Sequence, residues 1–187
     1  MVQVALTYAL LAGFFVIEIF LRQGRSARSL EATASDQGST RLIGAAFGVA
    51  VLLPPLLNLL HVGQIKWPIV TWLGLIVMLS GLGLRIWSMR VLGTYYSRTL
   101  RVTAEQDIIT QGPYRVLRHP GYLGTMLVWI GSGLALGNWL AAVLIALLMF
   151  GVYGYRIRSE EAMLLDTFGD RYRQYCRRTW KLLPFLY

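Results

Sequence analysis

The sequence predicts an all-α integral membrane protein with about five transmembrane helices. Three observations carry this. The chain of 187 residues is 56% hydrophobic and only 14% charged, where a soluble domain carries about a quarter charged residues. Its mean hydropathy is +0.53, and the apolar residues gather in runs near the roughly 20 needed to cross a bilayer as a helix. Finally, 17 of the 18 Lys and Arg residues fall on one side if five spans alternate across the membrane.

The first span covers about Val2 to Leu21, with Glu18 near its end and Arg22 four residues on, a pair that shares a helix face. No basic segment precedes this run, and it is too long for the core of a signal peptide, so no cleavable signal is expected. The stretch from Arg22 to Thr40 is a polar connector rich in Gly and Ser. The second span runs from about Leu42 to Leu60, and Pro54 and Pro55 should kink it. After a short loop with His61, Gly63, Gln64 and Lys66, the third span starts near Pro68, a favourable first-turn residue, and reaches about Met89. Its Gly74, Gly81 and Gly83 permit close helix packing, and Arg85 and Arg90 can snorkel at its far end.

Val91 to Pro120 is too polar to span, and Ser97 to Ile109 could form an extended or hairpin-like element. The fourth apolar run, Gly121 to Leu136, is short. Gly137-Asn138 signals a tight turn into a fifth run that starts at Trp139 and continues through Arg158. Gly131-Ser132-Gly133 lies inside apolar sequence and reads as a helix-packing patch. Ser159 to Tyr175 is amphipathic, with Leu164, Leu165, Phe168, Tyr172 and Tyr175 near helical spacing. The whole of 1–187 reads as one membrane domain, with three spans in 1–91 and the remainder in 92–187. The basic clusters Arg22–Arg41, Arg85–Arg118 and Arg156–Lys181 then face the cytoplasm and only Lys66 lies opposite. This puts the N-terminus outside and the C-terminus in the cytoplasm.

The formal charge of +9 suits the anionic lipid of a cytoplasmic leaflet better than nucleic acid, which is not expected as a partner. The single Cys176 excludes an internal disulfide and argues against a thiolate metal cage; no His, Cys or carboxylate spacing points to a metal. No Gly-rich nucleotide fingerprint follows a strand. The chemistry-bearing residues converge on the cytoplasmic side. One group is Tyr114, Arg118, His119 and Tyr122; a second is Arg156, Glu160 and Glu161; a third is Gln106-Asp107-Ile108-Ile109. Arg156 and Glu160 are four apart and share a helix face. Either they only pair with each other at the interface, or they face a ligand; spacing leaves both open. His119 precedes Pro120 at a helix start, where unsatisfied N–H groups can meet an anion.

The order Leu92-Gly93-x3-Ser97, Ile108-Ile109-Thr110-x-Gly112-Pro113-Tyr114-x3-Arg118-His119-Pro120-x-Tyr122-x-Gly124, Asn138, Arg156-x3-Glu160-Glu161-x6-Phe168-Gly169-x2-Tyr172-x2-Tyr175 and Arg178-Thr179-x3-Leu183-Pro184 resembles the isoprenylcysteine carboxyl methyltransferase family. The phospholipid methyltransferases share part of it. The resemblance covers about residues 92–187, and the first two spans carry none of it. It implies a membrane-embedded methyltransferase that uses S-adenosyl-L-methionine, held by a cytoplasmic C-terminal cofactor-binding region. Carried over by position, Gln106, Asp107, Ile108, Ile109, Tyr114, His119, Pro120, Gly121, Tyr122 and Glu160 would line the cofactor pocket, and Arg156 would meet the substrate. A lipophilic acceptor would enter from the membrane, in the inner membrane of a prokaryote or the endoplasmic reticulum of a eukaryote. Methylation of a carboxylate is the leading expectation. Methylation of an amine or another lipid headgroup is the second, and a non-catalytic scaffold of the same fold is the third. Cys176 reads as an inert tail residue, and His61 as a solvated loop residue.

Overall fold

The computed structural model describes residues 2–20, 38–93 and 107–184. Among the described residues, six α-helices follow one another: α1 Val2–Phe20, α2 Ser39–Leu59, α3 Pro68–Leu92, α4 Pro120–Ala135, α5 Trp139–Phe168 and α6 Asp170–Arg178, with a 3-10 turn at Gly112–Arg115. Four of them, α1, α2, α3 and α5, are long and apolar enough to cross a membrane. At 16 residues, α4 is about 24 Å long, against a hydrocarbon core of about 30 Å. It is instead the helix the others wrap: Trp129 and Met126 are buried with most of its residues. The outer faces carry exposed apolar side chains such as Phe20, Leu59 and Trp67, which suit lipid better than water.

The tightest seam joins α3 to α4. A Cβ on Gly74 would strike the backbone of Gly131 and Ala135, and one on Gly81 would lie 2.6 Å from the Gly124 carbonyl oxygen. Small residues let backbones approach where lipid offers no hydrophobic drive. Gly131 and Gly133 serve the same end, packing against Met78 and Ala142, as expected of that patch. A Cβ on Gly83 would meet nothing within 4 Å, so that position takes no part in the seam. Beside the seam, Phe47 stacks on Trp129 with centroids 4.8 Å apart, and the edge of Phe14 meets the same indole at 6.1 Å.

At one end of the bundle, the α2–α3 loop is laced to the α4–α5 turn. Asn138 Oδ1 accepts from the Ala141 amide and caps α5, while its Nδ2 donates to Asn58 Oδ1 and the Val62 carbonyl. Gly137 sits in the left-handed region at φ 77°, the geometry a tight turn needs and glycine supplies. The helical hairpin expected around Gly137-Asn138 is therefore present. His61 is exposed in the facing loop.

α2 carries Pro54 and Pro55 within one helix. Two local expectations change. Arg85 does not snorkel: it is buried and its Nε donates to Glu18 Oε1 at 2.7 Å, tying α1 to α3. An unpaired charge in an apolar interior costs several kcal/mol, so the long side chain turns inward to the carboxylate; Arg22 lies outside the described residues. The amphipathic segment from Ser159 is two pieces. Nothing between Arg156 and Phe168 breaks a helix, so α5 continues to Phe168, and Gly169, at φ 53°, turns the chain into α6.

Candidate active site

The site lies at the other end of the bundle, where α4 begins and α5 carries its polar residues. His119-Pro120 fixes the entry. His119 is the cap residue, Pro120 is the first helical residue, and the His119 carbonyl accepts from the Tyr122 and Leu123 amides. One turn of α4 places Tyr122 beside His119, with the rings parallel within 6° and 5.5 Å apart. Tyr153, on α5, closes the other side at 5.0 Å.

Tyr122 bridges the two charged residues of α5. Its hydroxyl donates to Glu160 Oε2 at 2.5 Å and accepts from Arg156 Nε at 3.2 Å. Arg156 is buried, and its Nη1 also donates to Ser39 Oγ at 2.7 Å and to Thr40 Oγ1 at 3.3 Å, at the start of α2. It is therefore not one half of a self-contained pair with Glu160. The guanidinium is a fixed cation at the junction of α2, α4 and α5.

Glu161 points to different partners, as its turn of about 100° from Glu160 requires. Arg118 Nε donates to its Oε1 at 2.8 Å and Lys181 Nζ lies 3.2 Å from its Oε2. Arg118 also donates to the carbonyls of Cys176 and Thr179. Main-chain bonds from the Arg118 and His119 amides to Trp180 and Lys181 complete the clamp. The segment after α6 is thus strapped across the start of α4. His119 is held between both carboxylates, its Nε2 3.3 Å from Glu161 Oε1 and its Nδ1 3.8 Å from Glu160 Oε2. With Glu161 engaged by two cations, Glu160 is the carboxylate left to meet a further cationic group, and its side chain is 24% exposed.

The remaining expected residues are placed as follows. Pro120 and Gly121 are buried, and a Cβ on Gly121 would lie 3.0 Å from Arg85 Nη1, so the Glu18–Arg85 pair backs directly onto the start of α4. Tyr114 is buried in the 3-10 turn, where its carbonyl accepts from the Tyr175 hydroxyl at 2.8 Å. Ile108 and Ile109 are partly buried. Asp107 is exposed and pairs with Arg171 at 2.6 Å, a surface bridge worth about 0–1 kcal/mol. Gln106 and most of the expected 97–109 element lie outside the described residues. Ser39, Thr40, Glu18 and Arg85 were not among the expected site residues. The only sign in the sequence was a charged residue inside each of two apolar spans. Among the described residues, no group of three His, Cys, Asp or Glu could hold a metal ion.

Residues 69–171 match the model of the phospholipid methyltransferase family, more than half of the chain. The chain belongs to the phospholipid methyltransferase family. The match takes in α3, α4, α5 and the polar segment between α3 and α4, hence Tyr122, Arg156 and Glu160. The chain is 31% identical over 119 residues to a probable protein-S-isoprenylcysteine O-methyltransferase of Oryza sativa subsp. indica, covering 63% of this chain and 62% of that protein. It is 31% identical over 105 residues to the Schizosaccharomyces pombe enzyme of that name, covering 55% and 44%. For the Xenopus laevis enzyme the values are 32% over 122 residues, 63% and 42%. The chain thus spans between 42% and 62% of these relatives' own length. A solved structure of the eukaryotic intramembrane Ras methyltransferase, isoprenylcysteine carboxyl methyltransferase, superposes with a TM-score of 0.65 over 97% of this chain and 68% of that one at 22% identity. The fold of this phospholipid methyltransferase family member is therefore that of an intramembrane methyltransferase, and its resemblance to the isoprenylcysteine enzymes holds. Methyltransferase relatives imply use of S-adenosyl-L-methionine.

Proposed function

We propose that the protein transfers a methyl group from S-adenosyl-L-methionine to the carboxylate of an isoprenylcysteine-like lipid, forming a methyl ester. The observation that carries this is Tyr122 linking a buried guanidinium to a more exposed carboxylate, one pole for each reactant.

The donor set fits the cofactor. Bound here, it supplies an electrophilic methyl group on a cationic sulfur. Glu160 complements the cationic part of the molecule, as a partly exposed carboxylate can. Partly buried Ile108 and Ile109 suit its adenine, as does Tyr114. The clamp of Arg118 on Glu161 keeps that second carboxylate neutralised and His119 fixed, so Glu160 alone carries the negative pole.

The acceptor carboxylate is ionised at neutral pH, so no residue need remove a proton. Arg156 has the planar fork that orients a carboxylate. Pinned by Tyr122, Ser39 and Thr40, it does so without reorganising, and positioning in a dry site supplies the catalysis. The lipid tail reaches Arg156 from the apolar flank of the bundle. The family's name raises the alternative of an amine headgroup, but an amine must approach as a cation and lose a proton, and buried Arg156 repels it. Anionic lipid then associates with the basic end of the bundle, which faces the cytoplasm.

The test is direct. Purified protein, labelled S-adenosyl-L-methionine and N-acetyl-S-farnesylcysteine should give label that base releases as methanol. Cofactor binding by calorimetry without any base-labile product would exclude the carboxylate acceptor.

A further inference from the structure

We infer that the Tyr172 hydroxyl is a further cofactor-binding group, accepting a hydrogen bond from the α-ammonium of S-adenosyl-L-methionine together with Glu160. The inference rests on the reading of Glu160 as the carboxylate that meets the cationic part of that molecule.

Tyr172 lies on α6, outside the residues expected at the site, and is only 2% exposed. Its hydroxyl has no hydrogen-bond partner among the described residues. Burial of such a group carries an uncompensated desolvation cost, and native proteins rarely keep one without a use. The Cys176 sulfur, one turn on in α6, interacts with it electrostatically without meeting hydrogen-bond geometry, and sulfur is a weak partner.

The seating of α6 fixes where this hydroxyl lies. Tyr175, whose ring is 5.9 Å from that of Tyr172, donates to the carbonyls of Tyr114 and Leu117. Arg118 donates to the carbonyls of Cys176 and Thr179 and holds Glu161. These bonds set α6 against the 3-10 turn and the start of α4, beside the carboxylates of α5. Burial first, then Glu161, Cys176 and Glu160, push the ionisation of Tyr172 well above the ordinary range, against a weaker pull from Arg118. It is therefore a neutral phenol whose oxygen has lone pairs to offer a donor. Near carboxylates, the donor that gains most is a cation, while the carboxylate of the same cofactor is repelled. A carboxylate accepts several hydrogen bonds, so Glu160 keeps capacity beside its bond from Tyr122. An ammonium, with three N–H groups, can serve Glu160 and the Tyr172 oxygen at once.

The experiment uses the full chain in detergent and compares Tyr172→Phe with wild type. Calorimetry measures S-adenosylhomocysteine, which keeps the ammonium; displacement of labelled S-adenosylhomocysteine measures methylthioadenosine, which lacks the amino-acid part. A hydrogen bond to a charged group is worth roughly a tenfold change in an equilibrium. Tyr172→Phe should weaken S-adenosylhomocysteine roughly tenfold and leave methylthioadenosine within about twofold. Melting of the ligand-free variant should be unchanged or slightly higher, because an unsatisfied buried hydroxyl has been removed. Wild-type affinity for S-adenosylhomocysteine in Tyr172→Phe overturns the inference and leaves the reading of Glu160 standing. Equal weakening of both ligands overturns the assignment to the ammonium. A lowered melting temperature with both ligands weakened shows that the hydroxyl serves the fold and overturns the inference as well. Failure of wild type itself to bind S-adenosylhomocysteine sinks the cofactor reading, and this inference with it.

Discussion

At the scale of single residues, charge placement decides the site. Two adjacent glutamates on α5 have opposite fates: Glu161 is held by Arg118 and Lys181, whereas Glu160 shares the Tyr122 hydroxyl and stays partly open. Cys176 sits at the edge of the same cluster. Burial, partly offset by the Arg118 charge, pushes its thiol above the ordinary range. Because the thiolate is the reactive form, less of it is present at pH 8 than in a free thiol. Alkylation by iodoacetamide should be several-fold slower than for the denatured chain at pH 8, and the gap should narrow as pH rises; equal rates at pH 8 would contradict the burial. The sequence showed the local part of this site. Arg156 and Glu160 share a face by helical spacing, and His119-Pro120 marks a helix start from chemistry two residues wide. What it hid was long-range. Ser39 finds Arg156 and Glu18 finds Arg85 across 117 and 67 positions, and no spacing rule links such partners.

At the scale of elements, α3 and α4 form the frame that presents Tyr122. Glycine positions at the seam were legible as small residues at helical spacing, yet only packing shows which of them matter. Gly74→Ala should destabilise the protein by about 1–3 kcal/mol, since its Cβ meets backbone that cannot yield. Gly83→Ala, facing open space, should be neutral or slightly stabilising because glycine weakens a helix. Thermal unfolding of both variants in detergent decides this; equal losses would refute the seam. The boundary of α5 was less legible. Amphipathicity from Ser159 suggested a new helix, but periodicity alone does not reveal that a helix changes surroundings without changing direction. Gly169 was the true stop.

At the scale of the whole molecule, hydropathy and charge agree on a polar, basic end and an opposite end that holds Lys66. Whether α4 counts as a fifth span rests on length. It falls short of the bilayer, but it is enclosed by longer helices, so the bundle thickness is set by α1, α2, α3 and α5. The expected alternation predicts that Gln64 and Arg173 lie on opposite sides. In a Cys176→Ser background, single cysteines at those positions should label with an impermeant maleimide from opposite faces of sealed vesicles, Arg173→Cys from the cytoplasmic one; labelling from one face would break the topology.

The division of labour across Tyr122 unites these scales, and paired measurements on Arg156→Ala and Glu160→Gln test it most directly. Loss of Glu160's charge should weaken S-adenosyl-L-methionine binding by roughly tenfold to a hundredfold in calorimetry, as expected for a hydrogen bond to a charged group. Loss of Arg156 should leave that affinity nearly intact and raise KM for the carboxylate acceptor. Abolished cofactor binding in Arg156→Ala, with acceptor affinity unchanged, would contradict the assignment of the two poles.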